Sequence, residues 1–515
     1  MKAPAVRGRW PITAIILALL LSGGSAFAAR PQTLCQLKAE EILGTVPLST
    51  GVSGVLAVRL CGDTLVCVNP SSRFVPASNI KLITTGIALK VLGEDFRFKT
   101  SVACCGTIRE GILDGDIYIV GGGDPTTGAD FDLADSPSEL FAKWKSFLDA
   151  AGISGVKGRI VGDPRFWDDD EPDCISWTIE DNGYYYAVSP AALNYCENAQ
   201  KLTLVPGAEI GSPLQLRSCE PAAPWMSYDN LTRTVAPRRS SVMRYSCSAF
   251  GPQARIWGSL ATDRKAFSQD VANRYGALTC AHEFYKYLTE SGMSVGGYAD
   301  IDVSGCLRAG PSLVCGPQAA SPEELTELGS TVSVRLAAIA SRTNHKSDNF
   351  FAEALLKTLG RRSDSSTGHE QGIRAVTEEL KRMGVPPAYA LQLRDGCGLS
   401  RENYASPSFF VSFLSAMART DVFRSYLGGL PQPGEPQTTL SLRLKDAPQD
   451  LKDRIHMKSG GMNGVRCFSG YIDSPDGDPS RMTVFSILTN NVPGHSGKVY
   501  PLIDNIIASI AEETQ

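Results

Sequence analysis

The chain is 515 residues long, with 50 Lys and Arg against 54 Asp and Glu and a formal charge of −4. Hydrophobic residues make up 43%, and Gly and Pro together about 16%, which excludes a disordered, collagen-like or multispanning chain. The slightly acidic balance makes a general nucleic-acid or anionic-lipid binder a poor fit.

Lys2, Arg7 and Arg9 open the chain, an apolar run from Pro11 to Leu21 follows, and Ala26-Phe27-Ala28 is a small-residue cleavage pattern. These features predict a secretory signal over 1–28. The apolar run is shorter than the ~20 residues a membrane span needs. Its removal deletes three positive charges and no negative ones, taking the net charge from −4 to −7. With no later run of spanning length, the mature chain is expected to have no transmembrane anchor and to be exported to the periplasm. All 14 cysteines then face an oxidising compartment and are expected mostly as disulfide staples. Cys61 and Cys67 flank a turn, and Cys306 and Cys315 flank a Gly/Pro loop. Cys174, Cys196, Cys219 and Cys247 share one irregular region. Cys104 and Cys105 are adjacent and would need different partners. No C-x₂-C pair occurs and the five histidines are scattered, so neither a metal nor a cofactor is expected.

In chain order, Leu34–Leu43 reads as a helix and Val55–Val68 as a hairpin. Ala77–Leu92 is a helix whose Ile80, Ile83, Ile87 and Val91 recur every three and four residues. Short alternating strands run from Phe96 to about Val161, with a helix near Ser138–Ala151. The stretch from Gly162 to Pro252 is rich in Pro, Asp, Tyr and Cys, has weak periodicity, and is expected to be loop-heavy. Thr279–Ser291 is helical. Helices dominate from Val332: Val332–Ser341, Asn349–Leu359, Gly372–Met383 and Phe409–Ala418. Strands return at Arg454–Met457, Val465–Ile472 and Met482–Leu488, and Pro501–Ala511 closes the chain as an amphipathic segment. Helices and strands at both ends around a strand-rich middle predict one α/β domain split by an insertion. No repeat of 20–50 residues is visible.

Three motifs carry chemistry. Ser78-Asn79-Ile80-Lys81 places a hydroxyl and an amine on one helix face, in a first turn that favours negative charge. Burial can lower a lysine pKa so that its neutral form acts as a base. Ser154-Gly155-Val156-Lys157 has the same pattern, but its glycines disfavour a helix, and it reads as a turn entering a strand. Ser347-Asp348-Asn349 precedes a helix, where all three residue types also suit capping. Lys458-Ser459-Gly460, followed by Gly461, lies in a strand-like run. A lysine and a hydroxyl there could hold a carboxylate, and the glycines would let a peptide backbone approach. The order S-x-x-K, S-D-N, K-[ST]-G is that of penicillin-binding proteins and class A β-lactamases. A G-x-S-x-G elbow, a P-loop and a dinucleotide loop are all missing. Ser347 follows Ser78 by 269 residues, an interval that can hold more than one extra domain.

Together with Gly122-Gly123-Asp124-Pro125 and Asp395-Gly396-Cys397-Gly398-Leu399-Ser400-Arg401, these motifs resemble the D-alanyl-D-alanine carboxypeptidase/endopeptidases of the penicillin-binding protein 4 type, from about Cys35 to the C-terminus. The resemblance implies an α+β penicilloyl-serine transferase domain, an antiparallel sheet carrying helices, in two parts (29–96 and 317–515). A strand-rich insert of two small domains (97–316) would interrupt it. Ser78 would be the nucleophile, Lys81 its base and Ser347 a proton relay with Lys458. Asn349, Lys458, Ser459, Gly460 and Gly461 would bind substrate, a peptidoglycan stem peptide, and β-lactams would acylate Ser78. The chain departs from the family pattern at Ser459 (commonly Thr), Gly461 (commonly Thr or Ser) and Cys397 (Ser). Whether cross-links are also cut is left open. A serine β-lactamase and a non-catalytic penicillin- or wall-binding protein are the rival readings.

Overall fold

The computed structural model describes residues 32–513, apart from 168–172, 249–250, 303, 309–315, 364–367, 386–388 and 494–495. The expected export signal lies outside the described residues. Within them, no helix is long and apolar enough to cross a membrane.

Helix α1 (Leu34–Leu43) begins at Thr33, whose hydroxyl accepts the Gln36 N–H and so caps the first turn. Strands β1 (Val52–Arg59) and β2 (Thr64–Val68) form the expected hairpin. A 3₁₀ turn, Ala77–Asn79, leads into α2 (Ile80–Leu92). Ile80, Ile83 and Ile87 are buried as their spacing predicts, but so are Leu82, Thr84 and Thr85, because other helices pack around α2.

The middle of the chain comprises β3 (Lys99–Arg109), β4 (Ile112–Val120), α3 (Pro137–Ala150), β5 (Gly155–Asp163), β6 (Ala199–Val205), β7 (Gln215–Glu220), β8 (Ser227–Val235), β9 (Val242–Cys247), β10 (Gln253–Ala261), β11 (Phe267–Ala272), α4 (Gly276–Glu290), β12 (Ser294–Ile301), β13 (Leu307–Arg308) and β14 (Thr326–Val332). They build a six-stranded sheet, β13-β12-β5-β4-β3-β14, and two three-stranded sheets, β8-β10-β9 and β11-β6-β7. Four of these strands, β6 to β9, fall in the stretch expected to be loop-heavy, which is a correction. In β8 the alternation was hidden by polar residues on the inner face. Thr232 and Thr234 of β8 are buried, and their hydroxyls accept the N–H groups of Leu214 and Gly207.

The chain then runs through α5 (Leu336–His345), α6 (Asn349–Ser363), α7 (His369–Arg382), the short pair β15 (Leu391–Gln392) and β16 (Tyr404–Ala405), α8 (Pro407–Met417), α9 (Phe423–Gly428), α10 (Gln449–Lys452), β17 (Ile455–Met462), β18 (Val465–Ile472), β19 (Thr483–Asn490) and α11 (Ser496–Glu513). Helix α5 starts four residues later than expected, because Val332 still belongs to β14. The last three strands join the first hairpin in an antiparallel-paired sheet, β17-β18-β19-β1-β2, with β17 at the edge. Every residue of β18 is buried, because both faces are covered. Phe468 and Ile472 face a core with α1 and α11, while Cys467 and Tyr471 face a core with α2, α6 and α8.

The disulfide expectation is corrected: no two of the described cysteines are bonded. On the hairpin, Cys67 pairs with Leu56, three residues along β2 from its first residue, while Cys61 sits in the turn. Neither cysteine is bonded. Cys315 lies outside the described residues. Ion pairs and hydrogen bonds fasten the irregular region instead. Arg274 Nε donates to Asp173 at 2.7 Å, and its Nη2 donates to Asn182 at 2.6 Å.

Candidate active site

The 3₁₀ turn that carries Ser78 is held from three sides. Asn79 Nδ2 donates to Ser469 Oγ of β18 at 3.0 Å. The Asn490 side chain of β19 accepts from Val75 N–H and donates to Val75 C=O, at 2.8 and 3.0 Å. Phe74 forms an isolated bridge with Ala405. Ala77 has φ of +47°, a conformation costly for a residue with a Cβ, and it turns the chain into the helix one residue before Ser78.

Two glycines are needed where backbone meets this turn. A Cβ on Gly398 would lie 2.0 Å from Ala77 O, and one on Gly460 would lie 2.7 Å from Pro76 O. Gly460 therefore makes room for the chain's own serine turn. It is buried and does not line the cleft, whereas Gly461 does.

Lys81 is fully buried one helical turn beyond Ser78. Its Nζ donates to Ser78 Oγ at 3.0 Å, to Asn349 Oδ1 at 2.6 Å and to the Cys397 carbonyl at 2.7 Å. Three acceptors match the three N–H bonds of an ammonium. Burial pulls its pKa below that of an ordinary lysine, against the opposing pull of Cys397, Asp395, Glu353 and Asp348. Thr85, one helical turn beyond Lys81, bonds to Lys81 O and Asn344.

Ser347 has φ of +58° and accepts a hydrogen bond from Lys458 Nζ at 2.9 Å. Lys458, on edge strand β17, is fully buried and also donates to Ser459 O at 2.7 Å. Desolvation and the charge of Lys81 push its pKa well below the ordinary range. The Ser459 hydroxyl donates to Thr439 at 2.8 Å. Asn349 spends its amide on Lys81 and, through Nδ2 at 2.8 Å, on the Tyr186 carbonyl. The structure thus brings Ser78, Lys81 and Asn349 together in one hydrogen-bonded group, and Ser347, Lys458 and Ser459 in another. The decoy Ser154–Lys157 belongs to neither: Ser154 bonds to Gly111 O, and the exposed Lys157 pairs with Asp114.

Sequence reasoning missed the layer behind Lys81. The buried Asp395 carboxylate accepts the N–H groups of Gly398 and Ser400 at 2.7 and 2.6 Å, and also Asn403 and Trp177 Nε1 at 2.8 and 2.9 Å. Glu353 accepts Gly396 N–H at 2.9 Å and pairs with His369 at 3.2 Å. The only sequence signal was the glycine-spaced stretch Asp395–Arg401. Cys397 is fully buried, and burial beside Asp395 and Glu353 raises its thiol pKa well above the usual value, keeping it protonated. Glu353, Asp395 and Cys397 place three ligand-type atoms within 4.8 Å of one another. Both carboxylates are already engaged by backbone N–H donors, so this is a hydrogen-bonded support, not a cation site open to an ion.

Ser78 opens onto a cleft of about 840 Å³ that is also lined by Asn349, Gly461 and Arg401. Thr178, Glu180, Tyr184, Tyr186, Arg244 and Trp257, all from the middle of the chain, also line it.

The sequence pattern of the D-Ala-D-Ala carboxypeptidase 3 (S13) family matches residues 38–514. The chain is 28% identical over 481 residues to the D-alanyl-D-alanine carboxypeptidase of Actinomadura sp. (strain R39), covering 91% of this chain and 82% of that protein. It is 22% identical over 455 residues to the D-alanyl-D-alanine carboxypeptidase DacB of Haemophilus influenzae, covering 87% of each. Its fold is similar to the crystal structure of penicillin binding protein 4 (dacB) from Haemophilus influenzae, with a TM-score of 0.75 at 20% identity, over 92% of this chain and 97% of the other. The expected penicillin-binding-protein fold is therefore present.

Proposed function

The chain belongs to the D-Ala-D-Ala carboxypeptidase 3 (S13) family, a serine-type peptidase hydrolase, and on that premise we propose that it removes the terminal D-Ala of peptidoglycan stem peptides through an acyl-enzyme on Ser78. The observation that carries this is the 3.0 Å contact between Ser78 Oγ and a fully buried Lys81 at the cleft. Burial makes the neutral amine accessible, and that amine takes the Ser78 proton as Oγ attacks the penultimate D-Ala carbonyl. General-base help of this kind contributes roughly 10²–10⁴ in rate. The N–H groups of Ser78 and Gly461 form the oxyanion hole, each donor contributing roughly 10²–10³. Ser347, bonded to Lys458, returns a proton to the leaving D-Ala amine, and water then releases the peptide. Lys458 and Ser459 hold the substrate carboxylate.

β-Lactams acylate the same serine in this reading. A related fold, penicillin binding protein 4 from Haemophilus influenzae, has been crystallised in complex with a β-lactam. The same reading takes residues 1–28 as an export signal and the periplasm as the site of action. It also takes 29–96 and 317–515 as the catalytic unit around an inserted portion. Pairing of β14 with β3 favours ending that portion near Val332 rather than at 316.

The test is Ser78→Ala. Covalent labelling by a fluorescent penicillin and D-Ala release from a pentapeptide should both vanish; labelling that persists would remove Ser78 from the mechanism. Fast turnover of penicillin without D-Ala release would make the protein a β-lactamase.

A further inference from the structure

The geometry points to a second binding groove, on the open face of the sheet β8-β10-β9 and continuous with the catalytic cleft, that holds the glycan strand from which the stem peptide hangs. It rests on the substrate reading above. The pairing registers place two rows of side chains across this face. Leu231, Trp257 and Arg244 form one row, and Asp229, Arg255 and Ser246 the next. Alternation turns both rows away from the core formed by Ala254, Ile256 and Tyr245.

Leu231 is 53% exposed and Trp257 38%. One exposed apolar residue needs no explanation, but a leucine and a tryptophan side by side in a groove of about 780 Å³ mark a binding surface. Beside them Arg255 Nε donates to Asp229 Oδ2 at 2.8 Å, with both side chains at least half exposed. The pair holds a planar donor and a planar acceptor in place, with hydrogen-bonding capacity to spare.

This is the chemistry a pyranose needs. Its C–H face packs on an aromatic ring, whose face carries partial negative charge, while its hydroxyl and acetamido groups bond to polar side chains at the rim. Continuity selects the occupant. Trp257 and Ser246 line both this groove and the cleft that holds Ser78, so a polymer whose peptide enters the cleft carries its backbone past Trp257.

The experiment uses the full chain carrying Ser78→Ala and peptide-free glycan strands prepared from peptidoglycan. Co-sedimentation and tryptophan fluorescence should show saturable binding, weakened about tenfold or more by Trp257→Ala and less by Trp257→Phe. Arg255→Ala provides an independent variant: with Ser78 intact, it should lower the ratio of D-Ala release from intact peptidoglycan to release from free pentapeptide. No glycan binding, or binding and ratio unmoved by these variants, overturns the groove, as does a dimer in sedimentation velocity that Trp257→Ala dissolves. Glycan binding without any D-Ala release by the parent upholds the groove and overturns the proposed activity. Release without glycan binding does the reverse.

Discussion

Lys81 and Lys458 are both fully buried, and the charge of Lys81 adds to desolvation in pushing the pKa of Lys458 well below the usual range. Lys81 has carboxylates behind it that partly restore its charged form; for Lys458, only downward influences are resolved. The site therefore holds two buried amines, both with pKa values lowered by desolvation.

This arrangement predicts how acylation depends on pH. Penicillin acylation should rise as Lys81 loses its proton, with a midpoint below the ~10.4 of a free lysine. Stopped-flow labelling across pH checks this, and a midpoint at the free-lysine value would mean that Lys81 is not the base.

Stability should follow the same groups. Both pKa values are lowered on folding, so between the folded values and about 10.4 the unfolded chain binds more protons, and the lysine contribution to stability rises with pH. Replacing Lys458 by Met removes one such penalty. The Tm of Lys458→Met relative to the parent should be most favourable at low pH, and the difference should shrink as pH rises from about 7 to about 10.

Trp177→Phe tests the support behind Lys81. It deletes one of the four donors to the buried Asp395 carboxylate and keeps the ring. A loss of about 1–3 kcal/mol in stability is expected from denaturant unfolding, together with slower acylation, because the stretch whose Cys397 carbonyl holds Lys81 is loosened.

Gly398 and Gly461 should respond differently to a side chain. Gly398 has φ of +85°, and a Cβ would meet Ala77 O at 2.0 Å and Ser78 N at 3.0 Å. Gly398→Ala should cost about 1–3 kcal/mol and displace the nucleophile. At Gly461 nothing comes closer than 3.6 Å, so Gly461→Ser should unfold at the parent's Tm.

Much of this protein was legible without coordinates, wherever the signal was local. Leu34–Leu43 and Val465–Ile472 are the observed element bounds, since apolar spacing over a few residues decides helix or strand. The ordered motifs at Ser78, Ser347 and Lys458 likewise pointed to the family. Expectations failed where structure depended on distant residues. Strand β8 was hidden because the hydrogen-bonded Thr232 and Thr234 fill part of its inner face. The disulfides were inferred from the compartment, whereas pairing depends on Cα separations that only the fold sets.

By itself, then, the sequence determined the fold class, the family and the residue types at the site, because these follow from spacing along one chain. Only the tertiary structure decided what each group meets: Lys81 the Cys397 carbonyl, 316 residues away; Asn349 the Tyr186 carbonyl; Asp395 the Trp177 indole. Buried polar atoms must find partners, and in a chain folded back on itself those partners are set by packing rather than by sequence distance.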